Sequence, residues 1–164
     1  MRTGIGFLDH LVTALAFHAR FDLTLEIDGD LAVDDHHTAE DAALILGRAF
    51  GIAWREAPGL RRFASVFAPL DEALARAVVD ISGRPGAWIE LGLRRESIGA
   101  VATENVTHFL QSFAVAAEIT LHVDVLRGEN DHHRAEAAFK ATALALRDAI
   151  RREGEHVPST KGAL

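Results

Sequence analysis

Along this chain the spacing of apolar positions changes in a way that marks elements. "DLTLEI" (22 to 27) alternates Leu23, Leu25 and Ile27 with polar neighbours, and "EITLHV" (118 to 123) does the same with Ile119, Leu121 and Val123. A period of two places those side chains on one face of an extended segment, so both stretches predict half-buried strands. Further on, the period lengthens to three and four, predicting helices from Ala39 to about Glu56 and from Ala135 to about Glu153. Upstream of each strand, "FLDHLVTALAFHA" and "ENVTHFLQSFAVAA" have helical spacing too. Between the two units, "FASVFAPLDEALARAVVDISG" and "AWIELGL" read as further strands, with a polar turn near Asp71 and Glu72 and a second turn at "SGRPG" (82 to 86).

The order helix, strand, helix thus occurs twice. The copies superpose at an offset of 96 over the strands (22 against 118), and of 98 at the upstream helices (His10 against His108). No Pro- or Ser-rich linker divides them, so residues 1–164 predict one domain of two pseudo-symmetric halves, about 1–80 and 81–164. The expected class is α+β, with helices packed against sheet in each half. At 164 residues such a domain buries roughly 70% of the surface its unfolded chain exposes.

Composition narrows the function. A formal net charge of -7 excludes a nucleic-acid role built on a basic surface. Fifteen of the 17 basic residues are arginine, which suits bidentate recognition of an anion. There is no cysteine, so any metal must be held by histidine and carboxylate. The opening "MRTGIGF" lacks the apolar core of a signal peptide, and the longest stretch free of Asp, Glu, Lys and Arg, residues 105 to 117, is too short to span a bilayer. A cytoplasmic protein is expected.

Candidate chemistry lies in an octet spelled twice: "DDHHTAED" (34 to 41) and "NDHHRAEA" (130 to 137). Asp35 and Asp131 are plausible N-caps, and acidic residues suit the positive end of the helix. His36 and Glu40 then stand at i and i+4 on one helix face, as do His132 and Glu136, and each pair can close on a single ion. His37 and His133 point about 100° further round and are placed to serve a second ion. With the upstream histidines included, one solution puts His36, Glu40, His108 and His133 on one ion and His132, Glu136, His10 and His37 on the other. The spacing is compatible with assembly within one subunit or between subunits. A single His-His pair at a helix start is more often capping or surface decoration; two octets with matching glutamates and upstream histidines are harder to read that way. A dinuclear metallohydrolase is chemically possible for such a pair of sites, but no leaving-group acid is identifiable.

From "TGIGFLDH" through "FDLTLEIDGDLAVDDHHTAEDAALILGRAF", "RRFASVFAPLDEAL" and "VVDISGRPG" to "GENDHHRAEAAFKA" and "VPSTKG", the chain resembles imidazoleglycerol-phosphate dehydratase in collinear order. The resemblance implies duplicated α/β half-domains of the ribosomal protein S5 domain 2-like kind, each a small mixed sheet backed by helices. The family pattern has a first strand and a glutamate ahead of the first motif, where this chain has only Met1 and Arg2, so an N-terminal strand is expected to be missing. It further implies two Mn2+ per active site, bound through His10, His36, His37, Glu40, His108, His132, His133 and Glu136, and self-association into 24-subunit shells with active sites between subunits. Implied substrate contacts are Arg62, Arg84, Ser159, Thr160 and Lys161 for the phosphate, Lys140 near it, and His10 and His18. Glu40, Glu136, His37 and His133 are the residues expected at the reacting atoms. The implied reaction is dehydration of imidazole glycerol phosphate to imidazole acetol phosphate in histidine biosynthesis; the alternative is a truncated, catalytically weak or silent metal-binding assembly of the same fold.

Overall fold

In a computed structural model that describes residues 1–57 and 59–154, the helical periods become α1 (Gly6–Ala19), α2 (His36–Arg55), α3 (Thr103–Ala116) and α4 (Asp131–Ala149). The strands are β1 (Phe63–Leu70), β2 (Ala73–Asp80), β3 (Gly86–Glu90), β4 (Ser97–Ile98), β5 (Val101–Ala102) and β6 (Thr120–Arg127). A four-stranded sheet runs β1-β2-β6-β3, antiparallel except where β3 lies parallel to β6, while β4 and β5 form a separate short hairpin. The fold is mixed α+β, as expected, with β1 and β2 coming from the first half and β3 and β6 from the second.

Small residues decide how closely the layers approach. The inner sheet face carries Ala64, Ala68, Ala73, Ala75, Ala77, Val79, Leu121 and Val123, all buried. Against it lies α4, whose alanines at 135, 137, 138, 141, 143, 145 and 149 are buried too. Helix α4 is covered by the sheet on one side and by α1 on the other, and α3 lies between β3 and α2. Helices α3 and α4 therefore form a central layer, joined at Phe109 and Phe139 with ring centroids 5.6 Å apart. The outer helix α2 buries one stripe, from Ala39 through Ala43, Leu46 and Phe50 to Trp54, as an amphipathic helix must.

Two local expectations need correction. Residues 22–27 do not form a strand: among the described residues the only bridge there joins Glu26 to Arg2, with Arg2 N–H donating to Leu25 O and Ile27 N–H to Arg2 O, both at 2.9 Å. The alternation is nonetheless real, since Leu25 is buried and Leu23 and Ile27 pack on the core; what is lacking is a hydrogen-bonded neighbour along the segment. The second correction concerns the caps. Asp35 holds the N-cap position of α2, but its carboxylate accepts from Ala102 N–H at 2.7 Å, and Asp34 takes the N–H of His36 at 2.9 Å. In α4 the cap is Asn130, accepting from His132 N–H at 2.9 Å, while buried Asp131 accepts from the N–H groups of Arg94 and Arg95 at 2.8 and 2.7 Å. In both octets the aspartate fastens the helix start to a distant backbone segment.

The α2–α3 contact closes over Gly47, where an added Cβ would lie 2.6 Å from Phe113 O and 2.8 Å from the Ala116 Cβ. Because those neighbours are backbone and a helix-borne methyl, the helices must separate to admit it. Gly47→Ala is expected to lower stability by about 1–3 kcal/mol despite alanine's better helix propensity. Urea unfolding compared with the parent chain checks this, and an unchanged or raised midpoint would contradict it.

Candidate metal centre

Helices α1 and α4 bring His10, His132 and Glu136 together. Nε2 of His10 lies 2.8 Å and Nε2 of His132 3.2 Å from Glu136 Oε2. Helices α2 and α3 do the same for His36, Glu40 and His108: His108 Nε2 is 3.2 Å from Glu40 Oε1, His36 Nε2 is 4.0 Å from Glu40 Oε2, and the two rings stack with centroids 5.0 Å apart. In each group one donor atom from every member falls within 4.8 Å of the others. Imidazole nitrogen and carboxylate oxygen converging in this way match the donor preferences of Mn, Fe or Zn, so the residues fit a divalent first-row metal. Two such groups are present among the described residues.

The fourth members of the expected sets lie elsewhere. His37 turns away, with Nδ1 3.2 Å from Asp30 Oδ2, and His133 has Nδ1 2.7 Å from Glu72 Oε2 and Nε2 3.7 Å from Asp71 Oδ2. The reason is the helix itself: a step of one residue rotates the side chain by about 100°, which places these rings outside their own helix pair. Each chain thus brings together three members of each expected foursome, and the remaining histidine points away from them.

Electrostatics reinforce the groups. Burial raises the Glu136 pKa, but hydrogen bonds from Lys140 Nζ (2.8 Å) and His10 outweigh it and hold the carboxyl down at about 2. Glu72 is held at about 2, chiefly by the backbone N–H of Asn130 and the His133 ring, and the His133 pKa is raised in turn by its bond to Glu72. The Asp30 bond raises the His37 pKa. His18 is shifted down, first by burial and then by the charge of Lys140. Asn105 Oδ1 sits 2.8 Å from His36 Nδ1, the arrangement in which the ring N–H donates outward and leaves Nε2 facing Glu40.

The expected substrate contacts separate into two places. Lys140 and His18 stand beside the His10, His132, Glu136 group, Lys140 by its ion pair to Glu136. Arg62 lies at the other end: its guanidinium forks onto Asp80 at 2.6 and 3.1 Å, Arg84 Nη2 approaches the same carboxylate at 3.6 Å, and Arg62 N–H donates to Ala149 O. From His132 to Ala149, α4 runs 17 residues, about 25 Å at 1.5 Å per residue. Ser159, Thr160 and Lys161 lie outside the described residues.

A family profile described as imidazoleglycerol-phosphate dehydratase matches residues 3–146. The chain belongs to the imidazoleglycerol-phosphate dehydratase family. It is 60% identical over 165 aligned positions to the imidazoleglycerol-phosphate dehydratase of Eremothecium gossypii, an alignment that covers 100% of this chain and 75% of that protein. The Saccharomyces cerevisiae enzyme is 58% identical, with 100% and 75% covered. Among solved structures, that of the Staphylococcus aureus dehydratase superposes with a TM-score of 0.87 at 38% identity, covering 93% of this chain and 86% of that one. The Pyrococcus furiosus protein, solved in complex with (S)-C348, gives 0.81 at 34%, covering 100% and 89%. Membership makes the chain a lyase of histidine biosynthesis that dehydrates imidazole glycerol phosphate, and identity sustained through the whole chain favours this enzyme over a silent assembly. No described helix is long and apolar enough to cross a membrane.

The sequence does not mark Asp30, Glu72 or Asn105 as site residues, although Glu72 falls in the predicted polar turn. Asn105 carried a faint signal, three residues before His108 on a helix whose other face is apolar; Asp30 and Glu72 reach their histidines only through tertiary packing.

The Glu136 environment has a consequence for metal-free protein. With a folded pKa of about 2 against 4.5 unfolded, the unfolded chain binds more protons between those values, so the contribution of this group is complete above about pH 4.5 and is lost as pH falls toward 2. Glu136→Gln is expected to flatten the fall in urea midpoint across that window. A slope identical to the parent's would show that the ion pair does not form.

Proposed function

We propose that this chain carries out the family reaction with two Mn2+ per active site, each completed by histidines from neighbouring copies in a closed homo-oligomer, 24 subunits by family resemblance, in the cytoplasm. The observation that carries the reading is the division of ligands: three of each set meet within one chain, and His37 and His133 face outward. One set is His36, Glu40 and His108 with a partner copy's equivalent of His133; the other is His10, His132 and Glu136 with the equivalent of His37. The position of Arg62 and Arg84 supports the same conclusion, because a small phosphorylated imidazole cannot reach from one end of α4 to the other.

The proton to be removed sits on a carbon beside the imidazole ring and is weakly acidic. A divalent ion supplies Lewis acidity, which favours the anionic ring and the negative charge that develops when that proton leaves. This chain's residues do the rest. Arg62 and Arg84, with Ser159, Thr160 and Lys161, hold the phosphate as charge-assisted donors and fix the substrate away from the chemistry. His18 and Lys140 line the approach, Lys140 keeping Glu136 ionised. A carboxylate takes the proton, the C–O bond of the substrate breaks and its hydroxyl leaves as hydroxide, which together account for the water lost; Glu40, Glu136, His37 and His133 stand at the reacting atoms.

Two measurements test this. His133→Ala or His37→Ala is expected to lose metal and to reduce turnover by at least about 100-fold, more than loss of a group that only supports a ligand; undiminished turnover after all metal has been stripped would sink the proposal. Co-expression tests the sharing between copies. His133→Ala and Arg84→Ala are each expected to be inactive alone and to regain activity when co-assembled, since one chain's His133 and Arg84 serve different sites. No recovery from the mixture would place the whole site within one chain.

A further inference from the structure

The two outward histidines are each backed by a carboxylate to which the reaction described above assigns no part. Glu72 lies in the two-residue turn between β1 and β2, after Asp71, whose φ of 46° is left-handed. Its Oε1 accepts from the N–H groups of Glu129 and Asn130 at 3.1 and 2.9 Å, and its Oε2 lies 2.7 Å from His133 Nδ1. One side chain therefore ties the sheet hairpin, the loop before α4 and the histidine ring together. Asp30 stands in the same relation to His37, at 3.2 Å, from a different part of the chain.

An ionised carboxylate has acceptors only, so Nδ1 must carry the hydrogen. A neutral ring with its proton on Nδ1 has its lone pair on Nε2. Asp71, 3.7 Å from Nε2, is beyond hydrogen-bond distance and leaves that lone pair open. We propose that Glu72 is the positioning residue that fixes the ring and tautomer of His133, so that bare Nε2 is presented to the ion completed by a neighbouring copy. The inference rests on the assignment of His133 as a ligand made above.

The decisive variant is Glu72→Gln, because it separates positioning from support. Glutamine has one acceptor end and one donor end. Its oxygen is drawn to the two backbone N–H groups of Glu129 and Asn130, which an NH2 could not satisfy, and its NH2 then faces His133 Nδ1 and donates to it. That forces the proton to Nε2, which then has no lone pair to present to the ion. Glu72→Ala removes the support but leaves Nδ1 facing water, which accepts or donates, so the metal-binding tautomer stays accessible.

Mn2+ affinity and stoichiometry of the assembled full chain are measured by calorimetric titration, beside urea unfolding of the metal-free protein. The expected affinity order is parent, then Glu72→Ala, then Glu72→Gln, with Gln weakened by about 10–100-fold at one ion. The expected stability order differs: parent, then Gln, then Ala. Affinity that is unchanged in Gln, or that follows the stability order, would overturn the positioning role. His133→Ala separates this from the wider reading: if it loses an ion while Glu72→Gln binds normally, only the positioning role falls, whereas full metal binding by His133→Ala removes the ligand assignment and this inference with it.

Discussion

The buried carboxylate of Asp131, 2% exposed, accepts the backbone N–H groups of Arg94 and Arg95, and Asp35 accepts that of Ala102; these contacts fix where α4 and α2 begin and how far each is turned about its axis. Rotational phase matters here more than position. A turn of about 100° about either helix would carry the inward histidine away from its glutamate's neighbours, and that helix's His/Glu group would be lost. Charge-assisted hydrogen bonds with little water to compete with them are suited to holding that phase. In α4 the hold is extended by Arg134, whose Nε and Nη2 reach Leu91 O and whose Nη1 reaches Gly128 O. Gly92, at φ 61°, leaves the space this guanidinium fills; a Cβ there would collide with it.

From that constraint the division of labour follows. The first histidine of each octet and the glutamate four residues on face a neighbouring helix, which contributes its own histidine, and the second histidine faces out. On the ligand sets proposed above, each copy is short of two ligands and offers two. The closed assembly proposed above would satisfy such a chain, because every donor left over on one copy would meet a deficit on another.

Much of this was legible in the sequence, and the losses have definite causes. The octets recur at a fixed offset, so inward pairs and outward histidines could be placed from spacing, whereas the helices begin at His36 and Asp131, ahead of Ala39 and Ala135 where the apolar period marks them. The segment 22–27 shows the limit: alternation encodes which side chains are buried, and Leu25 is, but it does not encode whether a partner strand lies alongside. The caps show another. Asp35 has the sequence position of an N-cap, but the backbone N–H of Ala102, 67 residues away, competes for the same oxygen and wins. Glu72 lay in a turn recognised as polar, yet its three acceptor contacts depend on the loop before α4 folding back over the hairpin.

The far end of α4 obeys the same logic with different chemistry. Arg62 adopts φ 73°, a left-handed conformation costly for a residue with a side chain, and its backbone is held by the Ala149 carbonyl and by Ile81 N–H donating to its own. So held, its side chain is largely buried against Asp80, and the two charges offset each other within the pair. Arg84 joins the same carboxylate from a largely exposed position, so the cluster as a whole carries net positive charge toward solvent. An anion meeting this cluster encounters guanidinium groups already oriented by Asp80. Alanine packing on both sides of α4 makes the helix a rigid spacer between the two ends, and the separation between the His132 and Glu136 end and the arginines is set by its length. On the proposed reading, a substrate far shorter than that spacer would meet both ends only where different copies overlap.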